Sequence, residues 1–177
     1  MRVNIRPAVT GDAPALSRVG AATFRDTFEG TNTPEDMARY LADAFTPERQ
    51  AVEIADPAGT VLLAEHHGEA GPELIGYAHL VSGPVPAAVR GAAPLELKRL
   101  YVTRACQGKG VAQALMDAAL EAARARGAQT LWLGVWERNP RAVAFYAKYG
   151  FVRVGQHTFV LGGDAQTDWL FARRLMA

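Results

Sequence analysis

Gln107-Gly108-Lys109-Gly110-Val111-Ala112 stands between a strand-like run at 95–102 and a helix-like run at 111–126. Two glycines at a strand-to-helix turn let the backbone approach a ligand closely. The helix start adds unpaired N–H groups and the positive end of a dipole. Together these make a phosphate cradle. A P-loop, G-x-x-x-x-G-K-[ST], does not fit: Gly108-Lys109 is followed by Gly110, and Thr103 stands where the first glycine belongs. A dinucleotide turn does not fit either. The run from Gly108 to Gln113 lacks the third glycine of G-x-G-x-x-G and lies in the second half of the chain. The pattern Q/R-x-x-G-x-G/A is satisfied by Gln107 through Ala112. A plain glycine turn capping a helix would satisfy the same six residues.

Outward from the cradle, the 177-residue chain suits one domain, 1–177, large enough to bury about two-thirds of its unfolded surface. A net charge of +1 gives no electrostatic case for nucleic-acid binding. The single cysteine, Cys106, excludes an internal disulfide. No apolar run reaches the length of a membrane span, and the first residues, Met1 to Pro7, carry no signal-like apolar region. A cytoplasmic protein with no membrane partner is expected.

Alternation predicts a first strand at 3–6. Asp12 before Ala13-Pro14 reads as a helix N-cap with proline in the first turn, followed by Leu16, Val19, Phe24 and Phe28 at helical spacing. Thr33-Pro34-Glu35-Asp36 and Thr46-Pro47-Glu48 repeat that signal, opening a second helix and a third that runs to Ala55. Strands follow at 61–65 and 74–81 around a turn at 68–72, then a Gly/Pro/Ala-rich loop at 83–94. The strand at 95–102, a helix at 111–126, a strand at 130–136, a helix at 140–149 and closing strands at 151–160 and 169–175 complete the chain. This order predicts an α/β chain: a mixed sheet with helices on both faces.

A second motif stands where the first would need it. Asn139-Pro140-Arg141-Ala142-Val143-Ala144-Phe145-Tyr146, ending in Tyr149-Gly150-Phe151, follows the strand at 130–136. In order and spacing, the two motifs resemble the GNAT (GCN5-related) N-acetyltransferases, with the most specific match between Glu96 and Phe151. The resemblance implies the GNAT fold: a mostly antiparallel sheet of about seven strands flanked by helices. It implies acetyl-CoA as cofactor, with no metal. The backbone of Leu100, Tyr101 and Val102 would pair with the pantetheine amides as an added strand does. Amides of Gln107, Gly108, Lys109, Gly110, Val111 and Ala112 would hold the pyrophosphate, each charge-assisted bond contributing about 1.5–3 kcal/mol. Arg104 and Lys109 are phosphate neutralisers or solvated surface charges. Asn139, with Arg141 beside it, would help hold the pantetheine arm, and the N–H around Val102 would polarise the thioester carbonyl.

For the chemistry, the resemblance makes Tyr146 the acid that protonates the departing thiolate; an aromatic packing residue is its plainer role. Asn139 and Tyr146 are seven apart and share a helical face. Glu96, where several GNAT enzymes carry a glutamate, is the candidate base; a strand-end acid paired with Arg or Lys is the alternative. A lysine-like amine costs about 4–5 kcal/mol to present neutral at pH 7, so desolvation or a water chain must assist a carboxylate. Phe145 and Tyr149 read as core. His66 and His67 point to opposite faces of a strand, and His79 and His157 stand alone, so each reads as a surface or hydrogen-bonded histidine.

The segments from Phe24 to Met37, from Trp132 to Glu137 and from Gly163 to Asp168 look like those of bacterial spermidine/spermine acetyltransferases. That likeness implies a small-molecule amine partner, a polyamine among the candidates beside other small amines, amino acids and protein amines. It names Phe28, Glu29, Glu35 and Trp136 as acceptor-binding candidates, with Asp36 and Asp43 as further acids; each acid also reads as helix-terminal or solvent-facing charge. Many relatives of this kind pair, which makes a homodimer a candidate assembly. A non-catalytic acyl-CoA sensor and a nucleotide-binding regulatory domain are the rival classes.

Overall fold

The computed structural model describes residues 2–28, 30–68, 71–161 and 163–175. Its elements are β1 (Val3–Pro7), α1 (Ala13–Phe28), α2 (Pro34–Ala44), α3 (Pro47–Ala55), β2 (Thr60–Gly68), β3 (Gly71–Val81), β4 (Pro94–Val102), α4 (Val111–Ala125), β5 (Thr130–Trp136), α5 (Pro140–Lys148), β6 (Val152–Leu161) and β7 (Asp164–Arg174). The seven strands form one sheet in the order β1-β2-β3-β4-β5-β7-β6. Every neighbouring pair is antiparallel except β4 and β5.

Alternation along the strands divides the core into two layers. Leu62, Ala64, Ala78, Leu80, Leu95, Leu97, Leu131 and Leu133 pack with the buried stripe of α4, which is Val111, Leu115, Met116, Ala119 and Ala123. The opposite face carries Val61, Leu63 and Tyr77 against Leu16, Phe24 and Phe28 of α1 and Met37 and Leu41 of α2. The helix starts follow their capping residues: Thr33 Oγ1 accepts from Asp36 N–H, and Thr46 Oγ1 from Arg49 N–H, both at 3.1 Å. Asp12 departs from its expected role. Its carboxylate takes Arg6 Nη1 and the Val9 N–H, each at 2.8 Å, because a short 3-10 turn at Thr10–Asp12 precedes α1 and turns the side chain back toward β1.

β2, β3 and β7 run longer than their apolar content suggests. β7 starts at Asp164 rather than at 169, since 164–168 is polar and reads as a turn by composition, yet it pairs in register with β6. Two long-range bonds fix this hairpin over the connection between α1 and α2: Gly163 N–H to Asp36 Oδ1 at 2.8 Å, and Gln166 Nε2 to Asn32 Oδ1 at 2.9 Å.

At Gly76 the sheet is tight, for a Cβ there would lie 2.8 Å from the Tyr101 carbonyl oxygen. Gly76→Ala must push β3 and β4 apart. Its expected cost is about 1–3 kcal/mol, measured by denaturant unfolding; a stability equal to the parent's would contradict it.

Candidate active site

β4 and β5 pair only from Pro94–Thr130 to Glu96–Trp132. Beyond those rungs the two strands part, while β4 stays paired with β3 as far as Val102 and β5 with β7 as far as Trp136. The result is a wedge in the middle of the sheet. The β5-facing edge of β4 from Leu97 through Leu100, Tyr101 and Val102 has no strand beside it. Buried backbone donors and acceptors need partners, so this edge suits an extended amide-bearing ligand.

The cradle opens at the wide end of the wedge. After Val102 the chain makes a 3-10 turn at Arg104–Cys106 and enters α4 through Gly108 (φ 75°) and Gly110 (φ 86°), both left-handed. No atom lies within 4 Å of where a Cβ would stand at either glycine, so both face open space. The first bond of α4 runs from Ala114 N–H to Gly110 O at 3.0 Å. The N–H groups of Gly108, Lys109, Gly110, Val111, Ala112 and Gln113 therefore have no backbone acceptor among the described residues. Gln107 is a brace: its N–H goes to Arg104 O, its Nε2 to Val102 O at 3.3 Å, and its Oε1 accepts from Arg141 Nη1 at 2.7 Å. Arg141 thereby ties α5 to the loop. Lys109 is exposed; Arg104 lies 3.8 Å from Asp26.

α5 brings its motif against the same region. Asn139 caps the helix with Oδ1 to Ala142 N–H at 3.1 Å, leaving its Nδ2 hydrogens to donate. Tyr149 Oη donates to Gln113 O at 3.3 Å. Tyr146 packs edge-on against Phe145 and Phe151, and burial pushes its phenol well above the ordinary tyrosine range. It remains protonated at neutral pH, and it is near enough to Tyr101 to disfavour that phenol's ionisation.

On β4, Leu95 and Leu97 belong to the α4 layer, so Glu96 faces the α1–α3 side. It is half-buried, and among the described residues it makes no side-chain hydrogen bond or ion pair. The neighbouring cations turn elsewhere. A bulge inserts Lys98 opposite the His79–Leu80 step, and Arg99 Nη1 reaches Glu53 Oε2 on α3 at 2.6 Å. Burial raises the Glu96 carboxyl pKa, opposed by Lys98 and Arg99.

The sequence gives no sign of the Arg99–Glu53 pair, whose members are 46 residues apart. His79 also corrects its expectation. It is 2% exposed, its Nδ1 finds no hydrogen-bond partner among the described residues, and burial lowers its pKa to about 4.

An aromatic wall closes the α1–α2 side of the wedge. Phe28 lies 5.3 Å from Trp136 and 6.4 Å from Phe159, ring to ring, and Tyr40 stacks on Phe24 at 4.5 Å. Two of the acceptor-binding candidates, Phe28 and Trp136, are thus in contact. Glu35 is exposed on the first turn of α2, away from this wall's contacts, and Asp43 is exposed as well. Asp36 is committed to Thr33 and Gly163. Glu29 lies outside the described residues.

Asp168 of β7, in register with Trp136, is an acid at the end of the segment 163–168 that the sequence does not single out as a site residue. Burial raises its pKa to about 6 against the opposing effect of His157. Among the described residues no group of three or more His, Cys, Asp or Glu could hold a metal ion, and no helix is long and apolar enough to cross a membrane.

Residues 22–151 match the Acetyltransferase (GNAT) family. An uncharacterized N-acetyltransferase in the pepI 3' region of Lactobacillus delbrueckii subsp. lactis is 35% identical over 165 residues, covering 93% of each chain. Among solved structures, the PaiA N-acetyltransferase from Thermoplasma acidophilum in complex with coenzyme A superposes with a TM-score of 0.77 at 21% identity, covering 98% of this chain and 99% of that one. The yncA protein of Salmonella typhimurium with its cofactor acetyl-CoA superposes with a TM-score of 0.69 at 20% identity, covering 100% and 96%.

Proposed function

The chain belongs to the GNAT acetyltransferase family, and on that premise we propose that residues 1–177 act as one cytoplasmic domain that moves an acetyl group from acetyl-CoA to a small primary amine by direct attack on the thioester. The observation that carries the cofactor assignment is the run of unclaimed N–H groups at 108–113 beside the unpaired edge of β4. A diphosphate fits the first and an amide-bearing arm fits the second. Bound there, acetyl-CoA supplies an activated acyl thioester at the wedge.

The residues then divide the work. Gly108 to Gln113 grip phosphate oxygens, and Lys109 adds charge. Leu100, Tyr101 and Val102 hold the extended arm through their main chain, with Asn139 Nδ2 as a further donor. Tyr146, kept protonated by burial, gives its proton to the departing thiolate. Glu96, unpaired and desolvated, takes the proton of the attacking ammonium directly or through water. The aromatic wall and the carboxylates on its side suit a cationic alkylamine, which makes a polyamine such as spermidine the favoured acceptor class.

The test is an amine panel with detection of released thiol, covering spermidine, free amino acids and a lysine peptide. Turnover with kcat/KM for spermidine at least about tenfold above the others is expected. Turnover led by another amine would remove the polyamine assignment alone. Coenzyme A binding with no acetylation of any amine would favour a non-catalytic acyl-CoA sensor. Stabilisation by ATP or NAD rather than by coenzyme A in a thermal-shift assay would contradict the cofactor assignment.

A further inference from the structure

Trp136, Asp168 and His157 form one row across the sheet, since Trp136 pairs with Asp168 and Asp168 with His157. Residues paired this way share a face, and Trp136 places that face on the aromatic side of the wedge. We propose that Asp168 is the acceptor-binding anion of this enzyme, holding a cationic nitrogen of the substrate beside the aromatic wall while the reacting amine lies toward Glu96. The proposal rests on the amine acetyltransferase reading above and adds to it the group that selects the acceptor.

Three observations converge. First, the carboxylate is placed. A Cβ at Gly134 would lie 3.3 Å from Asp168 Oδ2 and 3.2 Å from His157 Nε2, so the missing side chain at 134 lets the carboxylate and the imidazole lie over β5 on the face that carries Trp136. Second, the carboxylate is only loosely compensated. Its side chain is 15% exposed, and it pairs with His157 Nε2 at 3.9 Å, longer than a good hydrogen bond. A largely desolvated carboxylate with one distant imidazole partner gains from a closer cation.

Third, the surroundings suit an alkylammonium. Trp136 stands beside Asp168 with Phe28 against it, and Phe159 and Tyr40 continue the wall. Aromatic faces attract a cation and pack along its methylenes. Among the described residues, three acids of α2 and β7 are spoken for or turned away: Asp36 binds Gly163, Asp164 accepts from Gln166, and Glu35 is exposed.

The test uses the coenzyme A-saturated protein with spermidine as probe, in Asp168→Asn, which keeps shape and removes charge, and in Asp168→Glu. For D168N the expected result is a spermidine Kd and KM raised at least about tenfold. The kcat should fall by much less and the acetyl-CoA KM stay within about twofold. D168E should recover part of the spermidine affinity, which a purely packing role would not allow.

An unchanged spermidine Kd in D168N would overturn the proposal, and so would parallel loss of acetyl-CoA and spermidine affinity. Failure of the wild type to bind spermidine while it acetylates another amine overturns this inference and leaves the transferase reading standing. Failure to bind coenzyme A overturns that reading instead.

Discussion

Gly110→Glu is expected to abolish measurable coenzyme A binding, with a loss of at least about a hundredfold in Kd by calorimetry. Gly110 holds φ at 86° as the residue that starts α4. A side chain at such a φ costs roughly 1–2 kcal/mol before any ligand arrives. Its Cβ would extend into the open space that the cradle keeps clear, for nothing stands within 4 Å of that position. A glutamate there fills the anion site with a second anion, directly before the N–H groups of Val111, Ala112 and Gln113. The dipole that favours phosphate then favours the carboxylate of the variant's own chain. Gly110→Ala separates the two effects, bringing backbone strain without charge, and should lose far less. Wild-type affinity in the glutamate variant, with the fold intact by circular dichroism, would remove the cradle assignment.

Tyr146→Phe is expected to lower kcat at least about a hundredfold while the acetyl-CoA Kd stays within about threefold. The ring packs against Phe145 and Phe151, and phenylalanine keeps both contacts. What is lost is the hydroxyl proton. Burial holds that proton far into the alkaline range, so wild-type activity should show no basic limb from Tyr146 near neutrality. An acyl donor with a more acidic thiol needs less protonation on departure and should recover part of the lost rate. Equal losses in kcat and acetyl-CoA affinity would assign the residue to binding, and no loss in either would assign it to packing.

The parts of this protein that could be read from its chain are those whose causes are local. Glycine alone takes positive φ without strain, so Gly108 and Gly110 mark a left-handed turn into a helix wherever the rest of the chain goes. Thr33 and Thr46 followed by proline fix two helix starts through a bond three residues away. The apolar stripe of α4 and the alternation of β2 to β5 set the sheet and its two covered faces.

Local pattern misjudged β7, whose polar first half is held by its partners. It missed the commitment of Asp12 to Arg6, and it read His79 as surface or hydrogen-bonded when the fold buries it with Nδ1 lacking a hydrogen-bond partner among the described residues.

What only the tertiary structure decided is which charges are left with a distant partner or none among the described residues. Glu96 and Asp168 are ordinary acids in the sequence. A one-residue bulge in β4 brings Arg99 onto the face that Glu96 shares, where Glu53 of α3 takes it instead. Asp36 looked like an acceptor-binding acid until it met Gly163, 127 residues away. The wedge itself follows from β5 leaving β4 after three rungs to stay with β7. Backbone preference acts over a few residues and is written in them, whereas the pairing or isolation of a buried charge depends on strand register and on segments that meet only once the sheet has formed.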